Sequence, residues 1–497
     1  MSPIEEPTSP LPAQPPRIVV VGAGLAGLVA AESLLDAGNW PSGRRPEVIL
    51  VEADSRAGGV VETIRRDGWL IERSADNFLA ARPEGMALVD RLGLRDELIS
   101  VHEPARRALV FRAGRTLPVP TGFRLLAPGA TAGIEATEIL SAAGKSRLLA
   151  ERNVPPKLLA AGESGDESLE SFALRRLGRE AFDRLVQPLV AGIWTADPAR
   201  LSMAAACPEF LAMEQAHGSL SAGEEARLRE VGPSHRGEGA RYGQFVTLAS
   251  GMGTLPERLA ERIEAAGASR LRAVVSALER LPSGGWRVVL VPRPGGAGAI
   301  EADGVVVALP APIAARVVAA ADDPLAAELA RIEYAGSAVV VLGYARQQVT
   351  HPLDAAGVVV PRVEGRRALA VSFSSAKFSG RAPDGHVLLR VFLGGALDPE
   401  RNLLDDDQLV ALAREELAAI VGASGPPRLV EIARWPAAMP QYHLGHLKII
   451  DRITHRLDAL PGLALAGAAY EGVGIPQVIA SGQAAAARVM ASLRAPR

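Results

Sequence analysis

Apolar and polar positions alternate with two periods along this chain. Arg17–Gly22 (RIVVVG) is a short β-branched run that ends in glycine, the pattern of a strand buried on both faces. The Ala/Leu-rich stretch to Leu35 predicts a helix, and Val48–Val51 predicts a second strand closed by Glu52. Together they form a βαβ unit whose strands run parallel. Residues 85–240 read mostly helical, with Gln215–Tyr242 predicted as a polar surface loop. Thr254–Ala266 predicts a helix stopped by Gly267. Strand-like runs follow at Leu271–Val275, Trp286–Val291 and Val305–Leu309. Between residues 335 and 395, Ala338–Leu342, Gly357–Val360, Leu369–Phe373 and Val387–Phe392 predict an antiparallel sheet. Asp405–Asp407 predicts a capped helix, and Leu463–Ala466 a last strand before a helix opened by Pro476.

Composition narrows the class of molecule. Of 497 residues, 48 % are hydrophobic and 22 % charged, which is globular composition. A formal charge of −2, from 54 basic and 56 acidic residues, argues against a nucleic-acid partner. Cys207 stands alone, so no intrachain disulfide or Cys-based metal site is possible. Lysine occurs at four positions, so anions will meet mostly guanidinium groups. Residues 1–16 carry six prolines and read as a disordered tail without a signal peptide. No apolar run reaches the ~20 residues of a spanning helix, so the expected location is cytoplasmic.

Three glycine motifs carry the chemistry. Gly22-Ala23-Gly24-Leu25-Ala26-Gly27 follows a strand and opens a helix, the arrangement that seats a pyrophosphate on a helix N-terminus. Glu52, at the end of the next strand, can accept both ribose hydroxyls of an adenosine. Arg56 with Gly58 and Gly59 adds backbone donors and a guanidinium that a nicotinamide enzyme does not need. Near the other end, Gly467-Ala-Ala-Tyr-Glu-Gly472-Val-Gly474-Ile475-Pro476 repeats the strand–glycine–helix corner. Two such corners suggest one ligand bridging them, the first holding its adenosine side and the second its ribityl and ring side. His443 and His446 lack a third ligand at a sensible spacing, so no metal is expected.

GAGLAG, ExxxRxGG and AGAAYEGVGIP together resemble the flavin-dependent amine oxidase superfamily. Gly192–Ser202 (GIWTADPARLS), Arg434–His446 (RWPAAMPQYHLGH), Phe172–Gly178 and Ser372–Phe378 are similar to segments of its oxygen-dependent protoporphyrinogen and coproporphyrinogen III oxidases, and the likeness runs from residue 18 to 490. It departs at Glu72–Phe78 (ERSADNF), at Gln477-Val478 and at Ala355–Gly357. The resemblance implies an α/β fold with a discontinuous Rossmann-like FAD-binding domain (17–92, 241–315 and 432–497), a mixed-sheet substrate domain (316–431) and a helical, membrane-facing region (93–240). It adds Val274 and Ile475 to the expected FAD contacts.

The implied reaction is six-electron oxidation of protoporphyrinogen IX to protoporphyrin IX in haem synthesis, with O₂ reduced to H₂O₂; coproporphyrinogen III is the alternative substrate. The flavin does the chemistry, so no catalytic side chain is expected. Propionates need rim cations: Arg95 is the first candidate, Arg107 the second, and four propionates would also draw on Arg106, Arg346 or Lys377. Gly192, Leu342 and Phe373 are candidate walls of a flat slot. Peripheral membrane contact, a homodimer and hand-over to the next haem-pathway enzyme are left open. Two rivals remain. A flavin amine oxidase is disfavoured by the 4 % aromatic content, and a non-catalytic dinucleotide-binding protein would take up no FAD.

Overall fold

A computed structural model describes residues 15–40, 45–157, 165–231, 244–291 and 298–494. Residues 1–14 of the expected tail lie outside them, as do residues 232–242 of the expected polar loop. Five strands make a parallel sheet: β1 (Arg17–Val21), β2 (Glu47–Glu52), β3 (Ser269–Arg272), β4 (Gly304–Val307) and β5 (Leu463–Leu465), in the order β3-β2-β1-β4-β5. Both faces are covered, which is why its strands read as unbroken apolar runs. Ile18 and Val20 of β1 face a layer formed by helices α1 (Leu25–Leu35) and α2 (Ile475–Arg494) and the helix Thr254–Ala265. Val19 and Val21 point the other way, into a layer containing the antiparallel strands Val275–Arg280, Trp286–Leu290 and Ala299–Ala302. The predicted run Leu271–Val275 is thus split: its first half ends β3, and Val275 begins the antiparallel meander.

A mixed seven-stranded sheet lies beside this unit. Its order is Leu429–Pro440, Tyr334–Ala345, His386–Gly394, Ala370–Phe373, Gly357–Val359, Ala108–Arg112 and Arg115–Pro118. It draws on more chain than residues 316–431. The last two strands come from the stretch read as helical, and join because Leu109 pairs in parallel with Val358. The strand Leu429–Pro440, most of which was expected in the nucleotide-binding part, pairs along Tyr334–Ala345. One face is packed under the helix Asp406–Val421, whose N-cap Asp405 accepts from the Gln408 N–H. Trp69 and Ile71 pack on the other.

The remaining region is helical, and one expectation fails there. Part of the polar 215–242 stretch is a helix, Leu220–Val231. Part of its polar content is spent internally: buried Glu224 receives Arg124 at 2.9 Å and Arg227 at 2.6 Å, and Glu151 accepts from the Ser221 hydroxyl at 2.7 Å, whereas Glu225 pairs with Arg152 at the surface. Among the described residues no helix is long and apolar enough to cross a membrane.

Candidate functional site: two glycine corners and what lies between them

The first corner is set by close backbone packing. A Cβ at Gly27 would fall 1.9 Å from the Gly22 carbonyl oxygen, and one at Gly22, where φ is +100°, would fall 2.6 Å from the Ala308 carbonyl oxygen. Gly24 differs: a Cβ there would meet nothing within 4 Å. Gly22 and Gly27 are needed for packing, and Gly24 fronts open space at the start of an eleven-residue helix. That is the cradle a pyrophosphate requires, with free N–H groups and the positive end of the helix dipole.

The second glycine loop closes over the first. The Gly58 N–H donates to the Ala23 carbonyl at 2.7 Å, and Gly59 lies against Gly24. Arg56 folds back on its own loop, donating to the carbonyls of Ala57 (2.9 Å) and Val61 (3.1 Å), and pairs with Glu62. It stiffens the loop. Glu52 accepts from the Ala23 N–H at 2.6 Å and the Asp54 N–H at 2.8 Å, so its carboxylate is fixed at the end of β2. Val274 is exposed just past the end of β3, where the neighbouring Ala273 N–H donates to the Glu52 backbone carbonyl at 2.9 Å. A cavity of about 370 Å³ opens here, and Glu52, Arg56, Gly59, Arg73, Arg434 and Trp435 are among its lining residues.

The closing corner is held by side chains. Tyr442 donates its hydroxyl to the Ala468 carbonyl (2.6 Å) and accepts the Gly472 N–H (2.8 Å). Ser481 accepts the Gly467 N–H at 3.0 Å. His446 stacks on Tyr442 with ring centroids 3.9 Å apart, and burial lowers its imidazole to about 4. Gly467 fronts open space, as Gly24 does. Gln477, at one of the departures, folds back against Gly472 and Gly474, leaving Ile475 to open α2.

Both corners open on one edge. β1 and β5 are parallel and separated only by β4, so their carboxyl ends lie about 10 Å apart at the usual strand spacing. α1 and α2 pack together so closely that a Cβ at Gly482 would lie 2.4 Å from the Ala26 carbonyl oxygen. At that spacing the two corners face a common edge, and the residues present suit a flavin.

The expected substrate residues scatter. Leu342 and Phe373 are fully buried beneath the helix Asp406–Val421. Strand alternation turns them away from the face that carries Val339, Val341 and Leu388, so they are core residues and not slot walls. Gly192, on the helix Gln187–Trp194, lies open beside Val359 of the sheet. Arg107 opens an edge-proximal strand and pairs with Asp354. Arg95 pairs with Asp90 at 2.6 Å, at the end of a helix packed on α2. Arg346 donates to the carbonyls of Val349, His351 and Pro352. Lys377 is buried against Asp76 at 2.6 Å.

Sequence reasoning missed the roles of Trp435, Tyr442 and Asp76. The first two stand in the RWPAAMPQYHLGH segment, whose unusual density of Trp, Tyr, Pro and His was the available signal. The Trp435 indole donates to the Arg73 carbonyl at 2.8 Å and so ties the sheet to the nucleotide-binding half.

Comparison with known proteins agrees with this geometry. Residues 25–490 match the flavin containing amine oxidoreductase family. The coproporphyrinogen III oxidase of Bacillus subtilis (strain 168) is 31 % identical over 482 residues, covering 94 % of this chain and 97 % of that protein. The protoporphyrinogen oxidase of Bos taurus is 31 % identical over 497 residues, covering 95 % and 98 %. A crystal structure from Exiguobacterium sp. 255-15 superposes with a TM-score of 0.82 at 29 % identity, covering 96 % of this chain and 99 % of that one. With nearly its whole length matched, the chain belongs to the flavin containing amine oxidoreductase family.

Proposed function

We propose that this protein oxidises a porphyrinogen to the corresponding porphyrin, with FAD as its resident cofactor and O₂ as electron acceptor. The observation that carries the reading is the shared edge: two corners from opposite ends of the chain open side by side, and the relatives that match over full length are porphyrinogen oxidases. Bound FAD would accept two electrons in each of three cycles.

The chain's own part is binding and exclusion of water. Gly24 and the N-terminus of α1 hold the pyrophosphate, and Glu52 takes the adenosine ribose, with Val274 beside it. Gly58 and Gly59 cover the phosphates. Gly467, Gly474 and Ile475 hold the ring end, where the N-terminus of α2 favours negative charge. The substrate is a large flat disc, so position and desolvation do most of the work. It enters between the open Gly192 side of the helical region and the seven-stranded sheet. Arg107, on that sheet, is better placed than Arg95 to meet a propionate.

Protoporphyrinogen IX is the first reading of the substrate, in keeping with the bovine relative. Coproporphyrinogen III is the second, carried by the Bacillus relative. Purified protein should be yellow, should bleach anaerobically on adding porphyrinogen, and should then yield a fluorescent porphyrin. Turnover of the two porphyrinogens side by side assigns the substrate. A colourless protein that takes up no FAD would refute the enzyme.

A further inference from the structure

Five charged side chains are buried in and around the segment Glu72–Phe78. Glu72, Asp76, Lys377, Arg381 and Arg390 are each less than a tenth exposed. Asp76 accepts from Lys377 at 2.6 Å and pairs with Arg390 at 3.0 Å. Arg390 also donates to the Ser74 carbonyl. Arg381 donates to Thr247 Oγ1 (3.1 Å) and to the carbonyls of Leu248 (2.9 Å) and Ala249 (3.1 Å). Glu72 accepts from Thr63 Oγ1 (2.6 Å) and the Met252 N–H (2.8 Å). The Nε atoms of Arg381 and Arg390 have no partner among the described residues.

The charges do not balance. Lys377, Arg381 and Arg390 face two carboxylates; burial lowers Lys377 against the pull of Asp76, so the two guanidinium groups carry the positive excess, and the two carboxylates differ. Burial pushes Glu72 up toward its neutral form. Burial would raise Asp76 as well, but Lys377 and Arg390 overcome it and hold its carboxyl at about 2. Arginine stays charged even when buried. Excess positive charge in a low-dielectric interior is costly unless an anion completes it.

The cluster's place says which anion. Ser74 donates to the carbonyl of Val60, the residue after Gly59. Phe78 packs on Gly85, whose Cβ position also touches Pro476, the second residue of α2. The segment 74–78 therefore runs from the first corner to the second, alongside any dinucleotide held by both.

Resting on the reading that FAD spans the two corners, we infer that the Asp76–Lys377–Arg390 cluster, backed by Arg381, favours the reduced flavin electrostatically, with Lys377 and Arg390 acting as positioning residues for its charge. Each cycle takes two electrons and two protons from the porphyrinogen. A bound flavin would supply the electron sink: two electrons with one proton would add one negative charge to it, which Lys377 and Arg390 would face, and the second proton would go to solvent. A fixed positive excess nearby stabilises the charged form over the neutral oxidised form.

The test uses flavin-loaded protein and two readouts other than turnover: the flavin midpoint potential, by dye equilibration, and the affinity for sulfite, which adds to oxidised flavin and leaves it negatively charged. Lys377→Met should weaken sulfite binding about tenfold and lower the potential by about 30 mV, the equivalent of tenfold for a two-electron couple. Asp76→Asn should shift both the opposite way, the double variant should return close to wild type, and Lys377→Arg should match it. Opposite signs are what a purely structural clasp would not produce. Shifts of one sign in both single variants, or none, would overturn the inference. If Lys377→Met does not fold, Asp76→Asn decides alone, since a rise in sulfite affinity supports the cluster and no rise refutes it. Wild-type protein that takes up no flavin would instead remove the reading beneath it.

Discussion

The corner at Gly22–Gly27 is braced by backbone against backbone, whereas the corner at Gly467–Ile475 is braced by side chains from residues 442, 446 and 481. In the first, a missing Cβ is the structural device, and spacing along the chain encodes it completely. In the second, a phenol bridges two backbone groups of a loop some thirty residues away. The same task, presenting N–H groups at a helix N-terminus, is met by local steric fit at one end and by tertiary contacts at the other. Damage should accordingly differ: steric at the first corner, and sensitive to hydrogen bonding and pH at the second.

The largest contrast is expected within the first corner itself. Gly27→Ala should destabilise the apoprotein by about 3 kcal/mol, because the new methyl group meets a carbonyl that cannot move. Gly24→Ala should leave apoprotein stability within about 1 kcal/mol yet abolish tight flavin retention, since its methyl group would fill the cradle. Denaturant unfolding of both, with flavin content measured beside it, checks the division of labour.

At the second corner the sensitive group is His446. Its folded imidazole titrates at about 4 because burial disfavours the charged form, against 6.5 for an ordinary histidine. The unfolded chain therefore binds the extra proton between these values. Stability should be fully present above about pH 6.5 and fall as the pH drops towards 4, by a contribution on the order of 3 kcal/mol. His446→Gln should flatten this part of the pH profile in thermal unfolding, and an unchanged slope would assign the acid sensitivity elsewhere.

Glu52→Ala should weaken FAD binding by about 2 kcal/mol, through loss of the ribose partner and of the acceptor for the Ala23 N–H. Unchanged flavin content would show that the ribose lies elsewhere. Tyr442→Phe should cost about 1.5 kcal/mol, as the Gly472 N–H loses its acceptor. It should also speed flavin release more than it alters apoprotein unfolding. The smallest effects concern the rim. Arg107→Ala should raise KM several-fold with kcat held, because a rim contact binds ground and transition states alike. Arg95→Ala, which removes an exposed pair with Asp90, should leave both within error. The reverse ranking would return Arg95 to the site.

Much of the nucleotide-binding half was legible because its signals are local. RIVVVG, VILV and LALA are short apolar runs that end in glycine or glutamate, and they became β1, β2 and β5. The sheet beside it was legible in its strands but not in its faces or its edges. Nothing near Leu342 or Phe373 says which side a helix will cover, and the answer came from Asp406–Val421. The strand Ala108–Arg112, next to the edge strand Arg115–Pro118, is placed by pairing with residues some 250 positions later. Asp76 lies in the Glu72–Phe78 segment, but its meaning lies in Lys377 and Arg390, about 300 residues onward. Polar composition misled at Leu220–Val231 because pairing inside a fold leaves no mark on a one-dimensional pattern.

The contact between Gly482 and the Ala26 carbonyl joins the first helix of the sheet to the last. During synthesis the glycine cradle at Gly22–Gly27 is made more than four hundred residues before β5 and α2 emerge. A chain stopped before residue 463 lacks an edge strand, a covering helix and half of its nucleotide grip. Flavin loading should therefore wait until residues 463–494 have emerged and packed, and the cofactor would discriminate chains that carry both corners from chains that carry one.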